Sequence, residues 1–82
     1  MDPARFRSEF PVLERVAYLN AGTDGPVPRR GHEAAAARLR LELEGGRSGG
    51  AYFEALKELA TRLRGRMAGF MGCDPDDVAL TR

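Results

Sequence analysis

Residues 51–71 read AYFEALKELATRLRGRMAGFM, and their apolar side chains recur every three or four positions: Tyr52, Phe53, Leu56, Leu59, Ala60, Leu63, Met67 and Phe70. That period puts them on one stripe of an α-helix. Gly72 stands where a left-handed C-cap would close it. Gly65 and Gly69 lie inside the helix, where each costs about 1 kcal/mol relative to alanine. They read as points of close packing against a neighbour.

Working upstream, Gly45-Gly46-Arg47-Ser48-Gly49-Gly50 is a flexible connector. Before it, residues 29–44 form a run of helix formers with Ala36, Leu39 and Leu43 at helical spacing, started by Pro28 in the first turn. Two long helices joined by a short loop make a helical hairpin. Ahead of them, residues 20–28 hold two glycines and two prolines within nine positions, which is loop chemistry. Val16-Ala17-Tyr18-Leu19 is branched and aromatic and reads as a short β segment, near 16–20, ending at Asn20. Asp2-Pro3 pairs an N-cap carboxylate with a first-turn proline, so a short helix runs to about residue 10, where Pro11 forces Phe10 out of helical geometry. Downstream, Asp74-Pro75-Asp76-Asp77 is a turn signature, and a second β segment opens near 77–81.

Composition names no partner. Thirteen basic against twelve acidic residues leave a net charge of +1, too little to attract nucleic acid or an anionic membrane. No apolar run approaches the roughly 18 residues of a membrane span, and no secretory leader pattern opens the chain. The single cysteine, Cys73, excludes an intrachain disulfide and fits a reducing compartment, so the expected location is cytoplasmic.

Chemistry-bearing side chains are few. Lys57 is the only lysine, hence the only side chain able to form a Schiff base; flanked by Glu54 and Glu58 on its helix, it reads as a solvated, paired cation. His32 has no second ligand at metal spacing. Cys73 follows a helix C-terminus, whose dipole disfavours a thiolate, and reads as a small buried or half-buried residue. The arginines Arg38, Arg40 and Arg62 have carboxylates four residues away, the pattern of a wet surface and not of a nucleic-acid face. The glycine-rich connector lacks the lysine of a phosphate-binding loop. The loop from Asn20 to Pro28 is different: a turn of small residues delivers accessible backbone N–H groups, a cradle suited to a carboxylate or phosphate.

The stripe on residues 51–71 exceeds what the alanine-rich second helix can cover, and two β segments have no partner strands. The 82 residues are therefore expected to be a piece of something larger, without a complete domain boundary inside them.

Two stretches carry a family resemblance. Phe10-Pro11-Val12-Leu13, then Tyr18-Leu19-Asn20-Ala21-Gly22-Thr23 and Gly25-Pro26-Val27-Pro28, resemble the opening of the class V aminotransferase group; Met71-Gly72-Cys73 followed by Asp77-Val78-Ala79-Leu80-Thr81-Arg82 resembles the group's later hydrophobic "TR" motif. Order and spacing match as well. The resemblance spans these residues but only the front of such a protein. It implies an α/β parent, a fold type I transferase dependent on pyridoxal phosphate, homodimeric, acting on an amino acid or amine by transamination, desulfuration or epimerisation. In this segment it implies a mostly helical structure, with substrate contacts from Asn20, Ala21, Gly22, Thr23 and Arg47. Residues gripping the cofactor phosphate would come just after Arg82 and the Schiff-base lysine far downstream, so this segment would be inactive alone. The segment departs from the family at Gly22, which stands where a second alanine is usual, and at Asp24, a carboxylate placed where the substrate's own would bind. Reaction type and substrate stay open. The alternative from the residues themselves is a stand-alone helical-hairpin interaction module without catalysis.

Overall fold

A computed structural model describes residues 1–81. The element order is α1 (Pro3–Ser8), a 3₁₀ turn (Pro11–Glu14), α2 (Arg29–Gly45), α3 (Gly50–Met71) and a second 3₁₀ turn (Pro75–Asp77). The chain divides into two compact units, Met1–Gly46 and Arg47–Arg82.

In the first unit, the Asp2 side chain accepts the Ala4 N–H at 2.9 Å and caps α1, supplying one of the acceptors that a helix start lacks. Phe10, at φ −120° and ψ 84°, has left the helical region as Pro11 requires. The chain then winds into a 3₁₀ turn that its sequence did not announce. Phe6 and Phe10 meet edge to face at 5.2 Å, and the Arg7 guanidinium donates to the Leu13 carbonyl at 3.0 Å. α2 begins at Pro28, which offers no capping side chain. Its first amide is satisfied from afar: Arg29 N–H donates to the Glu9 carbonyl at 2.6 Å, while Arg30 Nε lies 3.2 Å from Glu9 Oε1. These two contacts tie the end of α1 to the start of α2. Gly46, at φ 77°, terminates α2 as the paired glycines predict.

In the second unit, α3 ends at Gly72, whose φ of 71° and ψ of 34° are left-handed. The Ala68 carbonyl accepts from both Gly72 and Cys73 N–H groups, a Schellman-like closure. Asp74 Oδ1 accepts the Asp76 N–H at 2.9 Å, and the second 3₁₀ turn packs back on the end of α3. Ala68, 1% exposed, is the one buried residue among those described.

Four expectations need correction. Neither β segment exists among the described residues: 16–20 has no regular structure, Asp77 belongs to the second 3₁₀ turn and 78–81 has none. Val78 does adopt extended dihedrals, φ −100° and ψ 116°, but a strand is defined by a ladder, and no described segment provides one. Cys73 is exposed, since it lies past the end of α3, beyond the Gly72 cap. A Cβ built at Gly65 or Gly69 meets nothing within 4 Å, so no described residue packs closely there.

Neither unit has an interior. Of the stripe on α3, Phe53, Leu59, Leu63, Met67 and Phe70 are all exposed.

Glycine substitutions within and beyond α3 should have opposite signs. Gly65→Ala should raise helicity by circular dichroism, by about 0.5–1 kcal/mol in helix stability. Gly72→Ala should lower it by about 1 kcal/mol or more, because alanine pays for a left-handed backbone, and should speed amide exchange at Cys73.

Candidate functional site

The loop singled out in the sequence is ordered by its own backbone. The Asn20 carbonyl accepts the N–H groups of Thr23 and Asp24, each at 3.0 Å, a tight turn of small residues. The Tyr18 hydroxyl donates to the Asp24 carbonyl, so the aromatic ring, half-buried, closes the turn from outside. Two amides are thereby consumed and two are left: among the described residues, Ala21 and Gly22 N–H groups have no hydrogen-bond acceptor. Asn20, Ala21, Gly22 and Thr23 are exposed. Successive unspent N–H groups on small residues present partial positive charge to solvent and suit a carboxylate or phosphate oxygen.

Arg47, the remaining candidate for substrate contact, is exposed and belongs to the second unit, whereas the four loop residues belong to the first. His32 sits exposed near the start of α2, its N–H spent on the Pro28 carbonyl at 3.0 Å. No group of three metal-binding side chains occurs among the described residues, and no described helix is long and apolar enough to cross a membrane.

Lys57 tests whether these residues fit a covalently held pyridoxal phosphate. Its Nζ lies 2.9 Å from Glu54 Oε1, with the two side chains 73% and 66% exposed. A Schiff-base lysine needs a desolvated amine, and Lys57 is wet and paired. The described residues do not fit that role.

An open groove that sequence reading missed runs beside α1. It has a volume of about 300 Å³ and is lined by Met1, Asp2, Arg5, Phe6, Glu9 and Arg30. Glu9 Oε2 is buried there without a hydrogen-bond partner among the described residues. Two guanidinium groups and two carboxylates balance around Phe6, so the groove favours neither anion nor cation. Glu9 and Arg30 are far apart in sequence and share no period, so only the folded chain reveals their pairing.

Comparison of the chain with protein-family models, with curated proteins and with solved structures returns no match.

Removing the Tyr18 hydroxyl tests the loop. Tyr18→Phe should cost about 0.5–1.5 kcal/mol locally and accelerate amide exchange at Thr23 and Asp24 by up to about tenfold, with exchange inside α2 unchanged.

Proposed function

We propose that these residues form the front part of a pyridoxal phosphate-dependent enzyme of the class V aminotransferase group, cytoplasmic and homodimeric, acting on an amino acid or amine. The observation that carries the reading is the pair of motifs, Tyr18-Leu19-Asn20-Ala21-Gly22-Thr23 and Asp77-Val78-Ala79-Leu80-Thr81-Arg82, in the family's order and at its spacing. Two physical facts support it. The turn at Asn20 leaves the Ala21 and Gly22 amides unspent, which suits a substrate carboxylate. The apolar side chains of α3 stand in water, which suits a segment covered by the remainder of its own enzyme.

Pyridoxal phosphate supplies an electron sink for chemistry at an amino-acid carbon. In the proposed arrangement this segment contributes orientation: the Ala21 and Gly22 N–H groups of the turn donate to the substrate carboxylate. The family resemblance adds Arg47 as a further substrate contact. The lysine and the phosphate-gripping residues come from sequence beyond Arg82.

A second reading, a helical interaction module without catalysis, is favoured by the same exposed side chains of α3. It differs in what the isolated 82 residues do: a module unfolds cooperatively as a compact species, whereas a dependent segment melts gradually or aggregates.

Borohydride trapping separates enzyme from module. The full reading frame, expressed and mixed with pyridoxal phosphate, should acquire a reduced cofactor on one lysine other than Lys57, with Lys57→Ala labelled equally by mass spectrometry. Failure of any lysine to label, or labelling confined to Lys57, refutes the proposal.

A further inference from the structure

The second half of α3 combines an exposed apolar stripe with flanking arginines. Leu59, Leu63, Met67 and Phe70 form one helical stripe and are 46%, 46%, 40% and 89% exposed. It runs about 17 Å along the helix, or three turns. Arg62 and Arg66 border this stripe on one side and Arg64 on the other, given their positions on the helix. Between residues 59 and 73 there is no carboxylate, Glu58 standing four residues before Arg62 and Asp74 just past the end.

We infer that this stripe is the docking face for an amphipathic helix whose own apolar seam is flanked by carboxylates. Leucine-like side chains of the partner fill the gaps between Leu59, Leu63, Met67 and Phe70, and its flanking glutamates reach Arg62, Arg64 and Arg66. This is the logic by which charges beside a helical seam select a partner.

A second copy of the same face is a poorer occupant, because it would set arginine against arginine along the stripe itself. An anionic bilayer is also a poor match. Asp74, Asp76 and Asp77 lie a few residues further on, in a turn that packs against the end of α3, so the local charge sums to zero and a membrane surface, which averages charge over its plane, gains little. A helix lying along the stripe reads the arginines individually. The inference stands independently of cofactor chemistry, and its failure would leave the borohydride experiment unaffected.

The test uses the 82-residue chain and labelled synthetic helices of about three heptads, with leucine in the seam and either glutamate or lysine at the flanks. Fluorescence anisotropy at low salt should show the glutamate helix binding at least about tenfold more tightly than the lysine helix, with the preference shrinking as salt rises. The triple variant Arg62→Glu, Arg64→Glu, Arg66→Glu, checked for helicity by circular dichroism, should reverse the order. Equal binding of the two helices overturns the inference, as does binding of neither, self-association of the chain that excludes both, or tighter binding to phosphatidylserine vesicles than to the glutamate helix. The comparison of the two helices on the unsubstituted chain decides the matter even if the triple variant does not fold.

Discussion

What limits this chain is the mismatch between a backbone that satisfies itself locally and side chains that have nothing to cover them. Outside the helices, nearly every backbone hydrogen bond among the described residues joins positions at most five apart, and the Arg29 N–H to Glu9 carbonyl is the one that spans a long loop. Local bonds settle where helices start and stop. They do not create an interior, and among the described residues Ala68 alone is buried. Hydrophobic burial, the dominant favourable term in folding, is therefore mostly unused here, which gives the exposed half of α3 its importance in both functional readings.

The features legible in the sequence are those fixed by short-range stereochemistry. Asp2 caps α1 as expected, and the turn expected at Asp74-Pro75-Asp76-Asp77 is present; Gly46 and Gly72 take the positive φ that ends α2 and α3; Pro11 expels Phe10 from the helix. Features that depend on a second segment were not legible. Residues 16–20 and 78–81 have β-like composition, but a strand is a relation between two stretches of chain, and composition reports only one. The 3₁₀ turn at Pro11–Glu14 escaped because a proline after a helix marks a break without specifying the conformation of the residues beyond it.

The candidate site divides in the same way. The bounds of the loop and its small residues could be read directly, since glycine and proline punctuate it. Which amides it spends could not, because that depends on the Asn20 carbonyl taking two donors and on Tyr18 reaching around to Asp24. The contact between Glu9 and Arg30 shows the limit most clearly: one follows the end of α1 and the other opens α2, two ordinary charges until the fold sets them 3.2 Å apart.

Locality also sets a clock. Helices closed by bonds of short span form on a timescale of about a microsecond or less, so α2 and α3 are not the slow step in whatever assembly this chain enters. In either proposed reading their completion waits on an encounter with a covering surface, and an encounter has a rate that depends on concentration and distance. A covering segment on the same polypeptide arrives by loop closure, whereas one on another molecule must arrive by diffusion. Until then the stripe from Leu59 to Phe70 remains sticky, and the chain's hazard during synthesis is measured by how long that interval lasts.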